Sequence, residues 1–143
     1  MRLLRFTSIV AMALLAASTA WAQGGSYKIV VNSSNPVTSM SREEVSRIFL
    51  KKSTRFSDGR SASPMDLPVS SSIRESFSKD IHGKPASAVD AYWQQQIFSG
   101  RDIPPPQKNE GAVLDYVRSN ENGIAYVSAG ADTGGLKVIH IAD

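Results

Sequence analysis

The stretch from Val69 to Ile81 reads VSSSIRESFSKDI, three consecutive serines directly before a short amphipathic segment. The first turn of a helix exposes amides that have no intrahelical acceptor, and it carries the positive end of the aligned peptide dipoles. Hydroxyls placed at such a mouth make Ser70, Ser71 and Ser72 candidate oxyanion ligands. Capping is the competing explanation. Ser72 and Glu75 have the spacing of a capping box, which accounts for Ser72 without any ligand and leaves Ser71 outside the cap.

Other chemistry is harder to find. The chain has no cysteine, and its two histidines, His82 and His140, have no neighbours at metal-ligand spacing. Neither a G-x-S-x-G elbow nor a phosphate-binding Gly-Lys loop occurs. The serines lack a recognisable base, and Asp66 and Asp80 do not mark an acid/base pair. The residues point to a binding protein, not an enzyme, with no metal and no cofactor.

The segments that must position these serines can be read in order. Residues 1–22 have the three parts of a cleavable secretory leader: Arg2 and Arg5, the apolar run FTSIVAMALLAA, and Ala20 and Ala22 in an A-x-A site. The apolar run is shorter than the ~20 residues of a bilayer span. Cleavage after Ala22 is expected to leave residues 23–143 as a soluble periplasmic domain with no membrane insertion. That length suits one domain with one core. The formal net charge of the 143 residues is +3, and two of the cations lie in the leader. The near-balance that remains, with no basic stripe, argues against nucleic acid as a partner.

YKIVVN (Tyr27 to Asn32) reads as a buried strand. Ser41 and Glu44 open a helix with a capping box, with Met40 and Val45 as a hydrophobic staple and Val45, Ile48 and Phe49 as its stripe. Lys51 and Lys52 close it. Asp58-Gly59 is a turn, and SASPMDL an extended lead into Pro68. A second helix carries Ile73, Phe77 and Ile81 on one face and stops at Gly83. A third follows Pro85, with Val89, Trp93 and Ile97 as its stripe and Tyr92 beside it. Prolines 104–106 are extended. A fourth helix buries Val113, Leu114 and Val117. IAYVS and LKVIHI close the fold as strands. Phe49, Phe77, Tyr92 and Trp93 are expected to anchor the core. The pattern is an α/β fold with a small mixed sheet flanked by about four helices.

Four stretches, VNSSNPVTSMSREEVSRIFLKKSTRFSDGR, SSSIRESFSKDIHG, AYWQQQIFSGRDIPPP and NGIAYVSA, occur in the order and spacing of one family. From Ile29 to Val138 the chain resembles the phosphate-binding proteins of phosphate ABC transporters, and among them the short members with a single domain of the periplasmic-binding-protein type II class. That resemblance implies a PBP-like domain over residues 23–143 and a single lobe where longer members have two. It places the family's Ser-Gly-Thr phosphate loop on Ser71, Ser72 and Ile73, so the Ile73 amide joins the serines as a candidate ligand, with Ser70 at the rim. The sequence departs from the family at several points. Ser72 replaces a glycine, Ile73 a threonine, Leu67 the arginine that grips phosphate, Lys51 a glycine and Phe56 a tryptophan.

The function implied is a periplasmic substrate-binding domain for phosphate or a related oxyanion, linked to an ABC permease. The alternative is a non-transport envelope module that binds or regulates another envelope protein and has lost tight anion binding. On this alignment Leu67→Arg would strengthen anion binding by restoring charge-assisted bonds.

Overall fold

In the computed structural model, which describes residues 26–143, the run YKIVVN forms strand β1 (Tyr27–Asn32). Its near-continuous burial shows that both of its faces are covered, as its unbroken apolar and β-branched pattern demands. The remaining elements are β2 (Ser39–Met40), α1 (Arg42–Phe49), β3 (Ser63–Pro64), α2 (Ser72–Phe77), α3 (Ala86–Phe98), α4 (Glu110–Ser119), β4 (Gly123–Ser128) and β5 (Leu136–Ile141). A π-helical turn, Ser78–His82, continues α2. The leader and its cleavage site lie outside the described residues.

The five strands form one mixed sheet in the order β2-β5-β1-β4-β3. β1 lies at the centre and pairs antiparallel with β4 and with β5, Ile29 standing opposite both Tyr126 and Ile139. The two-residue edge strands run parallel to their neighbours, β2 to β5 and β3 to β4. The sequence gives these short edges no strand signal, since SSNPVTSM and SASPMDL are turn-rich or proline-bearing.

Successive side chains of a strand point to opposite faces, and each face of β1 has its own helical layer. Tyr27, Ile29 and Val31 share a face with Tyr126, and there α1 and α2 supply Phe49 and Phe77. The Phe77 ring stacks on Tyr126 with centroids 3.7 Å apart, and Tyr27 and Phe49 meet Phe77 edge-on at 5.4 and 4.9 Å. Such contacts add about 0.5–1.5 kcal/mol each beyond area burial. On the other face Asn32 donates to the Val117 and Arg118 carbonyls at 2.9 and 3.1 Å and so caps the C-terminal end of α4. Val113 and Val117 are fully buried there.

Local signals explain most of the helix starts. Ser41 accepts the Glu44 amide at 3.1 Å, and Asn109 accepts that of Ala112 at 2.9 Å. α3 has no side-chain cap of its own beyond Pro85. Its first amide, Ala86 N, donates instead to the Glu75 carboxylate at 3.0 Å, reaching across from α2. Gly83, at φ 69, ends the π turn in a left-handed conformation that costs glycine little.

α3 differs from the reading of its stripe. Ala86, Val89 and Trp93 are buried, but they form no part of the main apolar cluster. Ile97 is 52% exposed and Phe98 94% exposed. Trp93 and Tyr92 stack edge-on at 5.2 Å as a satellite group, with Lys52 Nζ 5.9 Å from the centre of the Tyr92 ring. The anchor that the sequence reading omitted is Tyr126, the largest fully buried side chain.

Candidate functional site

The serine stretch stands where β3 and the segment after it deliver the chain to α2. A turn brings the Ser71 amide to the Pro68 carbonyl at 2.9 Å. The N-cap is Ser71, not Ser72: its Oγ accepts the Arg74 amide at 3.3 Å, and its carbonyl accepts the Glu75 amide at 3.1 Å. The expected capping box is thus displaced by one residue. The physical reason is the fate of two side chains. Glu75 is turned outward to the first amide of α3, and Arg74 is turned inward to the sheet.

The candidate ligands then sort by position. Ser70 and Ser72 are exposed, whereas Ser71 and Ile73 are partly covered. Ser72 and Ile73 are the first two residues of α2, so their amides have no intrahelical acceptor. Two serine hydroxyls therefore flank two open amides on the solvent side of the helix start. The cap assignment reverses what the serines should do when mutated. Ser71→Ala is expected to lower stability by about 0.5–2 kcal/mol, and Ser72→Ala by less than about 0.5 kcal/mol, as a urea titration would read.

Beneath the mouth lies a charged group that sequence reasoning missed. Arg74 is 2% exposed. Its Nη1 donates to the Leu67 carbonyl at 3.2 Å, and its Nε stands 3.6 Å from Asp66 Oδ1. The same carboxylate accepts the Tyr126 hydroxyl and, at 2.9 Å, the Leu67 amide. Burial is the largest influence and leaves the Asp66 carboxyl above its ordinary value, with Arg74, Tyr126 and the Leu67 amide opposing the rise. Every partner is a donor, so the hydrogen bonds and the guanidinium all favour the ionised form against the cost of burial. Burial and the adjacent carboxylate push the Tyr126 phenol up, so it remains a donor throughout the ordinary pH range. The sequence did hold a cue in an arginine two residues past the serine run, with an aspartate eight residues before it.

Leu67 itself is buried in the main apolar cluster. An arginine there would lose that packing and bring a second cation beside Arg74. Leu67→Arg is accordingly expected to destabilise the fold, in place of the strengthened anion binding that the alignment suggested.

His82 lies on the far side of α2, at the end of the π turn. Its Nδ1 is 2.7 Å from Ser46 Oγ on α1, and its ring meets Phe77 edge-on at 5.5 Å. Burial, then the charges of Lys84, Arg74 and Lys52, lower its pKa from 6.5 to about 4. Protonation is therefore easier in the unfolded chain. The contribution of neutral His82 is fully present above pH 6.5 and is lost as pH falls towards 4. By about pH 5.5 the loss is about 1.4 kcal/mol. Urea midpoints measured from pH 7 to 5 should fall more steeply for the parent than for His82→Gln.

Among the described residues no group of His, Asp and Glu converges to hold a metal ion, and no helix is long and apolar enough to cross a membrane.

No protein-family model and no curated protein matches the chain. Solved structures do. An ABC-type phosphate transport receptor from Vibrio cholerae superposes with a TM-score of 0.63 at 20% identity, over 82% of this chain and 47% of its own. A protein from Clostridium perfringens, assigned as a phosphate ABC transporter substrate-binding protein and solved with phosphate bound, gives 0.61 at 16% identity over 81% and 44%. PstS from Borrelia burgdorferi gives 0.57 at 11% over 82% and 47%. The chain spans less than half the length of each of these proteins. At these identities the likeness concerns the fold: a mixed five-stranded sheet between helical layers, built as a single lobe of the periplasmic-binding-protein type.

Proposed function

We propose that the protein is a one-lobe binding module of the cell envelope that holds phosphate or a related oxyanion at the start of α2, in the service of ABC-type uptake. The observation that carries this reading is the pair of open amides, Ser72 and Ile73, set beside the exposed hydroxyls of Ser70 and Ser72. The likeness to solved proteins that bind phosphate supports the choice of ligand class. The work proposed is binding and not catalysis. Ser70, Ser72 and the free O–H of Ser71 donate to the anion, and the two amides form its floor.

A surface held from one side leaves the anion half hydrated, so its contacts are screened. Binding in the ~millimolar range, about −4 kcal/mol, is the expected strength. Calorimetric titration with phosphate and with sulfate tests this. Ser70→Ala combined with Ser72→Ala, neither of them the cap, should weaken binding about tenfold or more while the protein melts like its parent.

One observation favours a second reading. The cation of α2, Arg74, is engaged with Asp66 and the Leu67 carbonyl and offers no charge to a ligand. A module retained for contact with another envelope protein would need none. If neither anion gives heat or a melting shift at ten-fold excess over the expected ~millimolar constant, this second reading replaces the first.

A further inference from the structure

α3 ends in a fully hydrogen-bonded stop. The Gly100 amide donates to the Ile97 carbonyl and the Arg101 amide to the Gln96 carbonyl, each at 3.0 Å, with Gly100 at φ 67. These bonds and the left-handed glycine make a Schellman motif, so the helix end is closed and not frayed. An apolar contact across the last turn usually accompanies the motif. Here its two positions are Gln96 and Arg101, and the apolar residues beside them face water. Phe98 is 94% exposed, and Ile97 and Ile103 are more than half exposed. Of the five large hydrophobics exposed among the described residues, these three fall within one short stretch. Prolines 104–106 follow at once and restrict the chain that carries Ile103.

A side chain as exposed as Phe98 touches almost nothing of its own protein, so this tip is a projection and not a groove. Its charge is one-sided. Asp102 is paired with Lys51 at 3.9 Å. Arg101 is exposed, and so is Lys52, whose Nζ lies over the Tyr92 ring of α3. Neither has an ion-pair partner among the described residues.

An apolar projection flanked by uncompensated cations suits the surface of an anionic bilayer, where apolar side chains enter the headgroup and acyl boundary and cations meet lipid phosphates. A second copy of the chain suits it less, because a two-fold contact sets the patch against itself and brings like charges together. We propose that the protein rests on an anionic membrane surface through this tip. Phe98 and Ile103 enter the boundary, Arg101 and Lys52 lie at the phosphates, and nothing spans the bilayer. None of these residues belongs to the serine mouth, so the inference stands independently of the oxyanion reading.

The test sediments residues 23–143, which hold every element of the fold, with vesicles of phosphatidylethanolamine alone or mixed with phosphatidylglycerol. Omitting residues 1–22 keeps their apolar run out of the measurement. Binding should be reversible and about tenfold stronger on the mixed vesicles, since two cations add to one short apolar tip. Phe98→Ser should weaken it about tenfold and leave the melting temperature unchanged, because the lost ring is not packed. Arg101→Glu should remove the preference for mixed vesicles. Phe98→Trp should bind at least as well as the parent, with emission that shifts to the blue on mixed vesicles. No binding at ~millimolar lipid, equal binding to both kinds of vesicle, or binding unchanged by Phe98→Ser would overturn the proposal. A concentration-dependent dimer that Phe98→Ser abolishes would overturn it too, and would assign the tip to a second copy.

Discussion

Arg74→Met is expected to cost roughly 3–5 kcal/mol, enough to bring a protein of ordinary stability close to unfolding. The side chains are similar in volume, so the loss is electrostatic. Without the guanidinium, Asp66 keeps its buried place and the donors of Tyr126 and the Leu67 amide, but it loses the cation 3.6 Å away. The Leu67 carbonyl loses its donor as well. A buried carboxylate without its counter-charge is the costly half of such a pair, and the pair itself is worth little over apolar residues of the same shape. Adding Asp66→Leu to Arg74→Met should therefore recover most of the loss, and the recovery is the sharper test. Urea unfolding of the parent, the two single variants and the double variant gives the coupling directly. If Arg74→Met unfolds at the same urea midpoint as the parent, the pair is not buried as described.

The second large effect concerns Trp93, and it should be confined to one helix. Removing a buried tryptophan costs about 3–5 kcal/mol when the site cannot collapse. Trp93 is buried, like Ala86 and Val89 of the same helix, outside the main cluster, and α3 lies beside the π turn that follows α2. The aromatic stack of Phe49, Phe77 and Tyr126 does not depend on it. Trp93→Ala should therefore raise amide exchange across α3, Ala86–Phe98, by about a hundredfold or more, while β1 and β4 keep their protection. Uniform loss of protection through the sheet would show that α3 belongs to the main core after all.

These two cases also show what could be read from residue order and what could not. The strand YKIVVN, the Ser41 cap and the Val113, Leu114 and Val117 stripe were legible because each is decided within a few residues. The displaced cap at Ser71 was not, because the choice between two adjacent serines depends on partners elsewhere. Asp66 draws Arg74 inward, and the bare start of α3 draws Glu75 outward. Trp93 followed the helical period and is indeed buried, yet periodicity cannot say which neighbours bury it. Ile97 obeyed the same period and is exposed, because α3 ends beyond the surface that covers its first two turns. Edge strands two residues long leave no pattern at all. For the candidate site, the serine hydroxyls were visible in the sequence. The neutralised charge beneath them exists only once β4 lies beside β3.

The strand order has a consequence for how the chain reaches its fold. Tyr27 pairs with Ser128 and Ile29 with Ile139, so the central strand has both of its neighbours at the opposite end of the sequence. During synthesis β1 emerges first and finds nothing to pair with. Its apolar faces stay open while the four helices are made, and the sheet closes only when β4 and β5 appear. Contacts so distant in sequence carry a large loop-closure entropy, which slows folding well below the rate suggested by the helical content. A nascent chain wired in this way cannot close its sheet until its last strand is complete. Any export route that threads polypeptide through a pore requires that same condition.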